Sequence, residues 1–147
     1  MTSVFLTIHG EPVSAGRPRF TRQGHAYDPA KSRSYKHMFR LEAGKQFAEL
    51  HQKPFSVDQP IEIYIAIYRP IQKSVSKAER TRRLLGEHMP VVKPDTDNYV
   101  KIVLDSLNGL IWDDDRAICH IDAWKYYSDD PRVEVIVKKM VPKVNQT

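Results

Sequence analysis

Five aspartates bracket one short stretch of this sequence, "KPDTDNYVKIVLDSLNGLIWDDDRAI", residues 93 to 118. Asp95 and Asp97 come just before an apolar repeat begins, Lys101 stands one turn inside it, and Asp113, Asp114 and Asp115 follow it. Val100, Val103, Leu104 and Leu107 fall at i, i+3, i+4 and i+7, which predicts a helix with one buried stripe from about Asn98 to Asn108, ended by Gly109. Asp95 and Asp97 then sit at its amino end, where free amides and the helix dipole favour negative charge. Asp97 and Lys101 are four residues apart, so a carboxylate and an ammonium can approach one point.

Capping accounts for Asp97 taken alone, but not for Asp95 as well. A solvated turn accounts for "DDD" alone, since adjacent carboxylates repel unless they face water or a cation. The joint arrangement points to a divalent metal. Oxygen-only ligands suit a hard ion, Mg²⁺ or alternatively Mn²⁺. Zinc has no support, because the histidines are scattered and Cys119 is the single cysteine. A calcium loop counted from Asp95 fails at Tyr99, Val100 and Ser106. "GEPVSAGRPR" lacks the spacing and lysine of a phosphate-binding loop, so no nucleotide cofactor is expected.

The rest of the chain supplies cations. Its net charge is +5 over 147 residues. Arg17, Arg19, Arg22, Lys31, Arg33, Lys36 and Arg40 form one cluster, and Lys73, Lys77, Arg80, Arg82 and Arg83 another. Such clusters attract polyanions, nucleic acid first among them, unless they are merely a solvated face. A basic chain that holds Mg²⁺ on carboxylates has one evident task, the hydrolysis of a phosphodiester. The ion would activate a water and offset phosphoryl charge. Lys101 would add a positive charge at the transition state or orient the attacking water.

The elements that must position these groups follow from periodicity. Val4, Leu6 and Ile8 alternate with Phe5, Thr7 and His9, which predicts a half-buried strand. "GEPVSAGRPRFTRQGHAYDP" reads as a long loop or loose hairpin. Asp28 and Pro29 open a helix reaching about Leu50, with Tyr35, Met38, Phe39 and Phe47 on one face. "IEIYIAIYR" is a strand whose apolar face is Ile61, Ile63, Ile65 and Ile67. Ser76 and Glu79 have capping-box spacing, and Gly86 closes the short basic helix they open. Two final strands, "AICHIDAWKYY" and "RVEVIVKKMV", are joined by the turn "SDDP". Cys119, inside the first of them, is expected to be buried filler.

That order fits a single α+β domain over residues 1–147, a two-layer sandwich of a mixed or mostly antiparallel sheet with helices on one face. No apolar run is long enough to span a membrane and no signal sequence opens the chain, so a cytoplasmic protein with no membrane partner is expected.

The same stretch resembles the signature of the RusA family of Holliday junction resolvases. D-x-D-N, a lysine four residues after the second Asp, D-x-L-N-G and D-D-x-x-I recur there in that order, and residues 10 to 29 are similar to the family's amino-terminal segment. The resemblance implies metal binding by Asp95, Asp97 and Asp115, with Lys101 essential to the reaction. Asp114, first member of the family's acid pair, then stands behind the ligands; Asp113 is an extra acid, and the spacing to Ile118 favours Asp115 as the ligand. Arg17, Arg19 and Arg22 correspond to the family's basic segment and would contact phosphates. The resemblance also implies a homodimer, often phage- or prophage-encoded, that nicks two opposed strands of four-way junction DNA during recombination and repair. A dyad suits that task, because the junction itself has approximate two-fold symmetry. The alternatives are a metal-dependent nuclease acting on forks, flaps or RNA, and a non-catalytic DNA-binding protein of the same fold. Clustered acids that repel phosphate count against the latter.

Overall fold

A computed structural model of the chain describes residues 3–16, 19–27 and 29–141. Four strands make one sheet: β1 (Ser3–His9), β4 (Ile61–Pro70), β5 (Ile118–Ser128) and β6 (Arg132–Lys139), in the order β1-β6-β4-β5. A two-residue-per-strand hairpin of β2 (Arg19–Phe20) and β3 (Ala26–Tyr27) stands apart from it. The helices are α1 (Ala30–Glu49), α2 (Lys77–Leu84) and α3 (Thr96–Leu107), with a 3-10 turn at Asp115–Ala117.

Alternation decides which face is covered. Val4, Leu6 and Ile8, the four isoleucines Ile61 to Ile67, and Val133, Val135 and Val137 are all buried, and they form one core with Tyr35, Phe39, Ala43 and Phe47 of α1 and Ile102, Val103 and Leu107 of α3. Helices α1 and α3 therefore share one face of the sheet, as expected for the two-layer α+β class, while α2 packs beside β5. The sheet is mixed: β6 runs antiparallel to both β1 and β4, and β4 runs parallel to β5. The last two strands are thus joined by a tight turn but are not neighbours, because β4 lies between them. At the β1 edge, Gln46 of α1 covers the free backbone of Thr7, donating to its carbonyl (2.7 Å) and accepting from its amide (3.0 Å).

Two local expectations change. Helix α1 begins at Ala30 with Pro29 in the cap position, one residue later than the sequence suggests; Asp28 lies outside the described residues. Cys119 is exposed, not buried, because it sits at the start of the edge strand β5, where no helix covers it. No described helix is long and apolar enough to cross a membrane.

Candidate functional site

Helix α3 starts two residues earlier than its apolar stripe implies, at Thr96, and its cap position belongs to Asp95. The Asp95 carbonyl accepts from the amides of Asn98 (3.1 Å) and Tyr99 (3.4 Å), but its carboxylate makes no capping hydrogen bond. Asp97 lies in the first turn and does not cap either, so the capping account of Asp97 does not hold. Both aspartates are exposed. Tyr99, Ile102, Val103, Ser106 and Leu107 turn inward, which leaves Asp97, Lys101 and Asp105 as an exposed stripe at four-residue intervals. Among the described residues Lys101 forms no ion pair with either acid.

The acid run after α3 separates into three different environments. Asp113 is exposed, its backbone amide bonded to the Phe55 carbonyl (2.9 Å). Asp114 caps the 3-10 turn, accepting from the amide of Arg116 at 3.1 Å. Asp115 is half-buried and accepts from the indole N–H of Trp112 at 2.6 Å. Trp112 is fully buried, so it presents a fixed donor. Burial raises the Asp115 carboxyl above its ordinary value, the Trp112 hydrogen bond opposes that, and the charges of Asp105 and Asp114 add to it.

The amino-terminal segment is anchored to the same region. Ser32, buried on α1, accepts from the Gly16 amide (3.0 Å) and donates to the Ser14 carbonyl (3.3 Å), while the Ala15 amide donates to the Asn98 carbonyl of α3 (3.0 Å). A Cβ on Gly16 would stand 2.8 Å from Pro29 Cγ, so only glycine allows this close approach. A crevice lined by Gly16, Lys36, Lys101 and Asp105 results. Of the predicted phosphate contacts, Arg22 is exposed in the β2–β3 turn. Arg17 lies outside the described residues, as does the side chain of Arg19. Arg40 is committed elsewhere, donating to the carbonyls of Ser106 (3.2 Å) and Asn108 (2.7 Å) at the end of α3. Arg83 likewise pairs with Glu79 (2.7 Å) and stacks over Tyr127.

Three residues near the site escape a reading of motifs alone. Trp112 directly precedes the acid run, and only its hydrogen bond distinguishes Asp115 from its neighbours. Arg69 at the end of β4 and Lys125 on β5 bind the main chain just before Asp95: Lys125 Nζ donates to the carbonyls of Val92 and Pro94 (3.0 Å each), and Arg69 Nη1 donates to that of Lys93 (2.7 Å). Burial lowers the Lys125 ammonium from its usual value, Arg69 adds to the effect and Asp95 opposes it. The signal in the sequence is a cation at a strand position whose parallel partner, Ile67, faces the core.

The donor chemistry fits a hard divalent cation, with two exposed carboxylates free of caps and a third oriented by a buried donor. Among the described residues no three carboxylate, histidine or thiol groups converge into a metal-holding cluster. Mg²⁺ is typically bound by one or two carboxylates together with substrate phosphates and waters, so a closed protein cage is not required.

A scaffold with carboxylates at one helix end and the segment leading to a basic hairpin anchored alongside has the make-up of a nuclease. The family model for Endodeoxyribonuclease RusA matches residues 9–138, nearly the whole chain, and the protein belongs to that family of endodeoxyribonucleases. The Uncharacterized protein YqaN of Bacillus subtilis (strain 168) is 38% identical over 145 residues, covering 95% of this chain and 99% of that relative.

Proposed function

We propose that the chain is a Mg²⁺-dependent, structure-selective endodeoxyribonuclease that resolves Holliday junctions by paired nicks on opposed strands, with Mn²⁺ an acceptable substitute. The observation that carries the reading is the state of the acids: among the described residues the Asp95 and Asp97 carboxylates make no cap and no ion pair, and Asp115 is turned by Trp112. Asp95, Asp97 and Asp115 would hold the ion, closing on it from positions that form no three-ligand cluster among the described residues, and Asp114 would support Asp115 from behind. When bound, the metal supplies Lewis acidity toward the phosphoryl oxygens and a more acidic water. Lys101 presents an exposed ammonium, in no ion pair among the described residues, on the same stripe as Asp97, where it offsets charge on the scissile phosphate. Arg17, Arg19 and Arg22 hold backbone phosphates and select shape more than sequence.

Paired nicking requires two sites related by a dyad, and the face of the sheet opposite the helices supports a homodimer. Phe5 is 58% and Trp124 50% exposed there, around Tyr64, Ala66 and Ile136. Register also brings Glu62, Asp122, Glu134, Arg132 and Lys138 to this face, three acids against two bases. A near-neutral, mixed-charge surface with an apolar centre suits a second copy of itself and not a polyanion. Four strands spaced about 4.8 Å apart give a face on the order of 20 by 25 Å, about 500 Å², which corresponds to one side of a small interface.

The test is to incubate the protein with four-way junction, fork and plain duplex DNA, and with RNA, in Mg²⁺ or EDTA, and to map the nicks. Symmetric nicks in the junction alone, abolished by EDTA and by Asp95→Asn, Asp97→Asn or Asp115→Asn with binding retained, are expected. Preferred cutting of forks, flaps or RNA reassigns the substrate. Junction binding without any cutting makes the chain a DNA-binding protein.

A further inference from the structure

The main chain leading into Asp95 has little else to hold it. Val91 is 94% exposed, Val92 49%, and Lys93 is exposed as well. Pro90 before it is buried and Pro94 half-buried, but residues 91–93 between them are open to solvent, and the Asp95 carboxylate takes no part in the helix cap that could have oriented it. Yet three consecutive carbonyls, those of Val92, Lys93 and Pro94, are each met by a cation: Lys125 takes the first and third at 3.0 Å each, and Arg69 the second at 2.7 Å. The two cations come from adjacent parallel strands, Lys125 opposite Ile67 and Arg69 opposite Tyr127. They stand on the helix side of the sheet, on rigid elements, as a positioning device should.

We propose that Lys125 and Arg69 form a two-cation clamp that positions Asp95 for metal binding. Lys125 is a positioning residue and not a phosphate contact, because an ammonium has three protons and two of its own are already committed to carbonyls, and Arg69 joins it by donating from Nη1 to the carbonyl between them. Their positive charge has a second effect. Gathering Asp95 and Asp97 at one helix end costs electrostatic free energy, and fixed cations behind the first of them lower that cost. The clamp thereby holds Asp95 toward solvent in one orientation while leaving both carboxylate oxygens open. The inference rests on the metal reading of Asp95 proposed above.

The experiment compares wild type, Lys125→Met, Lys125→Arg and Arg69→Lys by three measurements. Mn²⁺ binding in the presence of junction DNA is read by electron paramagnetic resonance, junction affinity is read in EDTA, and amide exchange is followed at Asn98 and Tyr99, which bond the Asp95 carbonyl. Lys125→Met is expected to weaken Mn²⁺ binding about 10- to 100-fold, the range for partners that orient metal ligands. Exchange at Asn98 and Tyr99 should quicken, junction affinity should stay within about twofold, Lys125→Arg should keep part of the binding that Lys125→Met loses, and Arg69→Lys should cost less than Lys125→Met, each limited by its different reach. Loss of junction affinity to the same degree as metal binding overturns the proposal in favour of a direct phosphate contact. Unchanged Mn²⁺ binding together with unchanged exchange overturns it outright. A wild type that binds Mn²⁺ but cuts no DNA defeats the nuclease reading and leaves the clamp to be decided by the metal and exchange data; a wild type that binds no Mn²⁺ defeats both.

Discussion

The indole N–H of Trp112 meets the carboxylate of Asp115 at 2.6 Å, and this contact gives one of three adjacent aspartates a fixed orientation. Trp112 is fully buried, so its donor is set by the core and not by solvent. Trp112→Phe keeps most of the buried ring and removes the donor. Stability should fall by about 1.5–3 kcal/mol for the lost hydrogen bond to a charged group, plus the cost of the small cavity left by the shorter ring. Nicking should fall much further at low Mg²⁺ and partly recover at high Mg²⁺, because a wandering carboxylate still binds metal when metal is in excess. Equal loss at all Mg²⁺ concentrations would count against this role.

Lys101 separates a chemical role from a structural one. It is exposed and pairs with neither Asp97 nor Asp105 among the described residues, so Lys101→Ala should leave the melting temperature nearly unchanged. An oriented cation at the reacting phosphate is worth on the order of 3–4 kcal/mol in electrostatic catalysis, a loss of about 10²- to 10³-fold in nicking rate. Lys101→Arg keeps the charge but spreads it over a longer planar group, and should restore little. A folded, DNA-binding Lys101→Ala protein that nicks at close to the wild-type rate removes this lysine from the mechanism.

How much of this was legible beforehand varies by element. Strict alternation at Ile61 to Ile67 and at Val4 to Ile8 identifies both strands and their buried faces, since a period of two has no other reading there. Strand order is another matter: the "SDDP" turn suggests neighbours, yet β6 inserts between β1 and β4, because alternation specifies faces and says nothing of pairing. The start of α3 is misplaced by its apolar stripe, which marks where a helix becomes buried, whereas the helix begins two residues earlier, at Thr96. Asp113, Asp114 and Asp115 look alike in sequence and acquire different roles only through Phe55, Arg116 and Trp112. Lys125 and Arg69 lie more than twenty residues from the carbonyls they bind, and no local pattern encodes that.

Helix α2 offers a pH test away from the acids. It buries no residue, and it is held by the Ser76 cap on the Glu79 amide (3.1 Å), the Arg83–Glu79 pair and the stacking of Arg83 on Tyr127. The hydrogen bond from Arg83, then that from His88, keeps the Glu79 carboxyl below its ordinary value. A depressed folded value means stabilisation that is present above the unfolded carboxyl range, near pH 4.3, and is lost as pH falls through the folded value. Amide exchange across α2 should therefore be faster in Glu79→Gln than in wild type at pH 7, after correction for intrinsic rates, and the gap should close as the solution is acidified below about pH 4. A gap that persists undiminished in acid would assign the effect to packing instead of charge.

The open face of the sheet gives the last test, and it is independent of metal and DNA. Trp124 stacks on Tyr126 (5.9 Å between ring centroids, 4° between planes), Tyr126 on Tyr68 (5.4 Å), and the Arg132 guanidinium lies 3.9 Å over Tyr68. This ladder holds its rings in fixed positions, so pairing with another copy would cost little side-chain entropy. Around it, Phe5 and Trp124 flank the small Ala66, leaving a groove that a ring from the partner could fill. A buried carboxylate facing its own dyad mate is strongly unfavourable. Trp124→Asp or Phe5→Asp should therefore convert a dimer to a folded monomer in light scattering, with an unchanged far-ultraviolet spectrum, since both side chains lie on the face away from the core. The monomer should still nick one strand of a junction but lose the coordinated second nick. A wild type that is monomeric at micromolar concentration, or a Trp124→Asp variant that stays dimeric, excludes this face as the interface.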